Sequence, residues 1–274
     1  MTISADTFTF VADLVRRRSA IELIVGKEYL VECRLLPLVR LAGLDGVDEY
    51  VDTLRKVGHS AECDRVVEAL TTNETSWFRD VAPFRALTGH VIPALVANRP
   101  ALASVRVWSA ACSTGQEPYS IAMALLDAVP DLDVTITATD ISQEVLTRAR
   151  AGRYSQLEMN RGLPALDMAR YFTRAGTRWD LSEQVRSMVT FSKHNLLNVP
   201  PPGGPFDVIF LRNVLIYFDL ETRVKVLRSV RGVLAPDGFL MMGGVESMVG
   251  VADAWERVPV GRGCVYRINR TEAA

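Results

Sequence analysis

The sequence predicts an α/β chain in two parts: a helical front segment, followed by a mainly parallel β-sheet covered by helices on both faces. Three observations carry this. Apolar residues recur every three to four positions through residues 1–80, and no strand-like alternation of useful length precedes residue 104. Short β-branched runs then alternate with helical patterns, as βαβ units do. Two last apolar segments, separated by Gly261 and Arg262, have the spacing of a hairpin.

In the front part, Phe10, Leu14 and Val15 mark a first helix, Leu30, Leu38 and Leu41 a second over 28–41, and Tyr50, Val51 and Leu54 a third. Pro37 falls inside the second helix and is expected to kink or end it, unless it sits where no amide is needed. A turn between Gly43 and Gly46 leads to Asp48, the expected N-cap of the next helix. Strands are expected at 105–109, 134–139, 189–192, 208–211 and 239–242, and helices at 117–128, 143–151 and 220–234. Segments 255–260 and 263–268 form the antiparallel hairpin at one sheet edge, and residues 171–188 fit neither rhythm and read as an insertion.

Composition removes whole classes. The 274 residues carry 49% hydrophobic and 23% charged side chains, which excludes disorder and suits one large domain with a small one. A net charge of -1 argues against general nucleic-acid binding through phosphates. Residues 1–80 are net -4 and the remainder +3. The four cysteines contain no Cys-x-x-Cys pair, so neither a disulfide framework nor a metal site is expected. The first residues lack a basic stretch followed by an apolar one. The apolar run 208–218 is broken by Arg212 and Asn213 and falls short of the ~20 residues of a membrane span. A cytoplasmic location is the expectation, with no direct membrane insertion.

Chemistry concentrates at three places. In WSAACSTGQEPYSIAMAL (108–125), a strand runs into small residues, Gly115 and a helix, at the end of the sheet where α/β proteins bind ligands. A tight turn that binds nothing would look similar. Asp140 ends the strand TITATD, where a carboxylate can accept hydrogen bonds from both ribose hydroxyls; the alternative is an N-cap, for which Ser142 also serves. Glu117 at the helix start would repel a pyrophosphate, which favours S-adenosylmethionine, with its sulfonium and ammonium groups, over a dinucleotide. Arg212 and Asn213 interrupt FDVIFLRNVLIYF (206–218) at its expected carboxyl end, facing the same crevice, and Tyr217 follows four residues after Asn213.

TTNETSWFRD (71–80), ACSTGQEPYSIA (111–122), ATDIS (138–142), KHNLL (193–197) and FLRNVLIYF (210–218) together resemble, in this order, the CheR-type chemotaxis receptor glutamate O-methyltransferase family. The resemblance implies an all-helical N-terminal domain (1–70), a linker carrying a site motif (71–89) and a Rossmann-like seven-stranded methyltransferase domain (90–274) with an inserted antiparallel β-subdomain (171–188). It further implies cofactor contacts at Asn73, Thr75, Arg79, Glu117, Asp140, Asn195, Leu196, Arg212 and Asn213. Arg79 and Tyr217 are implied beside the transferred methyl, as catalytic residues. The implied reaction methylates glutamate carboxylates of methyl-accepting receptors and leaves S-adenosyl-L-homocysteine.

The implied partners are the acidic cytoplasmic methylation helices of chemoreceptors. Lys27 and Arg34, seven apart on one helix face, are the basic residues placed to meet them. The compact 171–188 stretch, with Gly176 as its only glycine, predicts no binding of the pentapeptide tether that some relatives take at the receptor C-terminus. No basic stripe suggests nucleic acid. His194 and Cys112 are expected to play no chemical part. A competing class is a non-catalytic module that senses S-adenosylmethionine or S-adenosylhomocysteine through the same crevice.

Overall fold

Four helices, Ala5–Ser19, Glu28–Leu41, Val47–Val57 and Ala61–Leu70, build the first unit, bringing together buried Val11, Val15, Val31, Leu35, Val51 and Val66. The computed structural model describes residues 3–57 and 61–269, and contacts divide it into one unit of residues 1–72 with 217–222 and another of 73–216 with 223–274. Ser4 caps the first helix, its Oγ accepting from the Thr7 N–H at 3.1 Å. Asp48 is not the cap expected of it. It lies inside the helix Val47–Val57, and its Oδ1 accepts from the Ser4 hydroxyl at 2.8 Å and the Ser4 amide at 3.1 Å. Hydrogen bonds from Thr7 and Ser4 hold the Asp48 carboxyl below its usual range.

Helix Glu28–Leu41 does not end at Pro37 but continues past it to Leu41. The carbonyl that loses its partner belongs to Cys33, and both residues are exposed, so it faces solvent rather than core. Arg34 on this helix is half-buried, and its Nη1 donates to the Leu70 and Thr71 carbonyls at 2.9 and 2.6 Å. It thereby satisfies the open end of helix Ala61–Leu70. Arg34 is therefore not presented beside Lys27 as expected; Lys27 alone is exposed.

The strands of the second unit are β1 (Ser104–Ala110), β2 (Asp133–Asp140), β3 (Arg153–Ser155), β4 (Phe172–Ala175), β5 (Arg178–Leu181), β6 (Val189–Lys193), β7 (Phe206–Leu211), β8 (Leu234–Met242), β9 (Trp255–Val260) and β10 (Gly263–Ile268). Seven form one sheet in the order β6-β2-β1-β7-β8-β10-β9, parallel except for β10, which runs antiparallel to β8 and to β9. All six residues of β7 are buried, as a strand covered on both faces requires, and this is why its sequence shows no alternation. The chain leaves β1 toward β2 and β6 on one side and returns through β7 and β8 on the other. A crevice at the carboxyl ends of β1 and β7 follows from that reversal.

A separate three-stranded antiparallel sheet, β3-β5-β4, begins earlier than residue 171, because β3 precedes that stretch. Trp77 packs edge-on against Tyr154 at 4.8 Å and Phe172 at 5.3 Å, and its backbone amide donates to the Arg161 carbonyl at 3.0 Å. Gly162 makes this approach possible: its φ is +92°, and a Cβ there would stand 2.3 Å from the Trp77 carbonyl. Among the described residues no helix is long and apolar enough to cross a membrane.

Candidate active site

The loop after β1 turns on three left-handed residues, Ala111 (φ 61°), Ser113 (φ 50°) and Gly115 (φ 92°), before helix Gln116–Ala128 starts. A Cβ on Gly115 would meet Ala149 Cβ at 3.0 Å and Tyr154 Oη at 3.1 Å, so the turn packs as tightly as its backbone allows. The Cys112 amide donates to the Thr139 carbonyl at 2.9 Å, tying the loop to the end of β2. Ser113 Oγ donates to the Asn73 carbonyl at 2.7 Å and holds the 71–80 motif against the same loop. Burial pushes the Cys112 thiol up, which leaves it a small neutral filler.

Asp140, buried at the end of β2, accepts the Ser113 amide on Oδ2 at 2.8 Å and the Ser142 amide on Oδ1 at 3.0 Å. The next helix is capped by Ser142, whose Oγ accepts from the Val145 N–H, so Asp140 is not its N-cap. After β6, the His194 amide donates to the Asp140 carbonyl at 2.9 Å, and Asn195 Oδ1 accepts the Leu197 amide at 3.0 Å. Asn195 and Leu196, both half-buried, therefore follow directly on the residue anchored to Asp140. The His194 ring stands edge-on to Trp108 at 6.0 Å, and burial pushes its pKa down.

At the end of β7 the wholly buried Arg212 guanidinium gathers three segments. Nη1 donates to Glu117 Oε2 at 3.0 Å, while Nη2 donates to the Arg79 carbonyl at 2.8 Å and to Asp80 Oδ2 at 2.9 Å. The second Glu117 oxygen accepts from Ser109 Oγ at 2.8 Å. Burial pushes the Glu117 carboxyl up, and Arg212 opposes it. Positive φ values at Phe78, Asp80 and Val81 show that the 71–80 motif is bent to bring the Arg79 carbonyl to this guanidinium. The Arg79 side chain is half-buried and donates only to the Glu74 carbonyl at 3.2 Å; Thr75, also half-buried, lies between.

Sequence reasoning missed Glu246. Its carboxylate accepts four backbone amides, from Asn213, Val214, Leu215 and Gly243, at 2.7–2.9 Å. This clamp joins the exits of β7 and β8 and holds Asn213 at φ 58°. The glycine pair Gly243–Gly244 ahead of an acid was the only local signal. A Cβ on Gly243 would lie 2.7 Å from Glu246 Oε2.

Glu117, Asp140, Asn195, Leu196, Arg212 and Asn213 thus lie at or just beyond the carboxyl ends of β1, β2, β6 and β7, with Asn73 attached through Ser113 and Arg79 through Arg212. Tyr217 is placed otherwise: it ends the 3-10 turn Leu215–Tyr217, groups with the helical unit, and accepts the Glu22 amide on its carbonyl at 3.3 Å.

A mainly parallel sheet with an acid at the end of its second strand is a nucleoside-cofactor fold, and an acid rather than a glycine run at the first helix suits S-adenosylmethionine, the cofactor of the methyltransferase class, better than a dinucleotide. The chain belongs to the CheR methyltransferase family. Residues 6–71 match its all-alpha domain and residues 73–264 its SAM binding domain. Chemotaxis protein methyltransferase Cher2 of Pseudomonas putida is 38% identical over 249 residues, 88% of this chain and 90% of that protein. The chemotaxis protein methyltransferase of Vibrio parahaemolyticus is 40% identical over 98% of this chain and 99% of its own length. That of Escherichia coli is 36% identical over 90% and 86%.

Proposed function

We propose that the protein transfers the methyl group of S-adenosylmethionine to glutamate γ-carboxylates on the cytoplasmic methylation helices of chemoreceptors, forming methyl esters. The observation that carries this is the junction at Arg212. Its guanidinium engages Glu117, Asp80 and the Arg79 carbonyl, so both acids at the junction are paired and the Arg79 backbone is held while its side chain stays half-buried. Such a site has no acid set aside to act as a base. An ionised carboxylate acceptor needs none.

The residues present fit the cofactor's chemistry. Asp140, buried at the end of β2 with its carboxylate oriented by the Ser113 and Ser142 amides, would take the ribose hydroxyls. Glu117 would face the ammonium group, and its charge disfavours a phosphate at this helix start. Asn195 and Leu196 would hold the adenine edge and face, with Asn73, Thr75 and Asn213 completing the wall. When bound, the cofactor supplies an electrophilic methyl on sulfur. Catalysis by the chain is then positioning: Arg79, and by family resemblance Tyr217, steer the acceptor carboxylate without binding it so tightly that the ground state gains most. Lys27 at the N-cap of the second helix is exposed and open to acidic receptor helices, as is Arg40 in its last turn, whereas Arg34 is held by the Leu70 and Thr71 carbonyls. The four-residue edge strand β4 supports the expectation that no tether peptide adds to it.

The test is label transfer from methyl-tritiated cofactor to receptor-containing membranes, followed by release of volatile methanol in base. Methyl esters release it; label that is stable to base assigns a different acceptor atom.

A further inference from the structure

A cavity of about 370 Å³ opens between the start of helix Ala82–Ala86, the carboxyl end of β8 and the β9–β10 hairpin. Its size falls in the ~300–1,000 Å³ range of ligand pockets. Four ionisable side chains of full charge line it: Asp80, Glu246, Arg257 and Arg262. The two acids are already engaged. Asp80 is paired with Arg212 at 2.9 Å, and both Glu246 oxygens accept backbone amides, so neither is placed to pair with the arginines. Neither Arg257 nor Arg262 has a carboxylate partner among the described residues. Arg257 lies beside the Tyr266 hydroxyl and the Cys264 thiol, and Arg262 is exposed in the turn after Gly261 (φ 57°).

Two guanidiniums without a carboxylate partner, beside a phenol, make a cavity for an anion with planar oxygens. Its position identifies which anion. Asp80 is shared between this cavity and the Arg212 junction that fixes the Arg79 backbone, so whatever occupies the cavity lies next to the acceptor side of the site. We propose that Arg257 and Arg262 form a carboxylate-recognition subsite for the acceptor protein, taking an acidic side chain that neighbours the glutamate to be methylated. This rests on the reading of the acceptor as a glutamate-bearing protein. The hairpin then serves as a specificity element, selecting glutamates that have an acidic neighbour.

The experiment is steady-state methyl transfer to a receptor cytoplasmic fragment by the wild type and the double variant Arg257→Gln/Arg262→Gln, over a series of salt concentrations. The double variant is expected to raise the KM for the fragment roughly tenfold and to lose most of the salt dependence of kcat/KM. Its kcat and its calorimetric affinity for S-adenosylhomocysteine stay at wild-type values, and Arg257→Lys/Arg262→Lys recovers part of the KM. A wild-type KM in the double variant overturns the subsite alone. Equal losses in KM and cofactor affinity also overturn it, by assigning the arginines a structural part. A wild type that transfers no base-labile methyl to the fragment overturns the acceptor assignment, and the subsite with it.

Discussion

Arg212 and Glu117 meet at 3.0 Å with the arginine side chain wholly out of solvent, although 95 residues separate them in the chain. Removing one partner of a buried pair strands the other charge, which costs about 3–5 kcal/mol. Arg212→Met is expected to lose that much stability in urea unfolding. Adding Glu117→Gln to it should restore part of the loss, because the stranded carboxylate is gone.

The same pair sets a pH dependence. Burial raises the folded-state Glu117 pKa above its ordinary value of 4.5, so the folded protein binds the proton at pH values where the unfolded chain has released it. This contribution to stability is present below the ordinary value and is lost as pH rises through the folded one. Urea midpoints measured from pH 4 upward should show that decline in the wild type and a flatter profile in Glu117→Gln. In Arg212→Met the decline should extend to higher pH, since the cation that opposes the shift is absent.

Glu246 holds four amides from two strand exits, and a charged acceptor contributes about 1.5–3 kcal/mol per hydrogen bond. Those bonds share one carboxylate and are not additive. Glu246→Ala is expected to destabilise the protein by roughly 3 kcal/mol, at the upper end for a single such bond. Amide exchange should show the loss as faster exchange at Asn213, Val214 and Leu215. Glu246→Gln, which keeps one oxygen acceptor, should fall between.

Periodicity in the sequence carried the strands because burial dictates it. Residues 208–211 of β7, VIFL, are apolar throughout because the strand is covered on both faces, and the 255–260 and 263–268 segments pair across a two-residue turn at the boundaries expected. Asp140 was legible as the last residue of a strand. What was not legible depends on partners far along the chain. Pro37 is tolerated only because its helix face is exposed, and Asp48 lies inside a helix because Ser4, 44 residues away, supplies its donors. Arg34 looked free until the helix end at Leu70 was in place beside it. β3 has three residues, too few to show alternation, and Glu246 binds backbone amides, which leave no mark in side-chain patterns.

Binding and turnover should separate by residue. Asp140 is a buried carboxylate at the end of β2, and a hydrogen bond to a charged group contributes about 1.5–3 kcal/mol. Asp140→Ala should therefore weaken S-adenosylhomocysteine binding in calorimetry by roughly ten- to a hundredfold. Arg79 differs, because its backbone carbonyl is gripped by Arg212 while its side chain makes a single bond to the Glu74 carbonyl. Replacing that side chain leaves the grip intact. Arg79→Ala should keep cofactor affinity within about threefold and lower kcat by roughly tenfold or more, the size of effect that follows from losing acceptor alignment. Arg79→Lys should restore charge but not the two-pronged geometry, and so recover only part of the rate. Tyr217→Phe should act in the same sense as Arg79→Ala. If Arg79→Ala instead weakens cofactor binding as much as Asp140→Ala does, Arg79 belongs to the cofactor's wall and not to the acceptor.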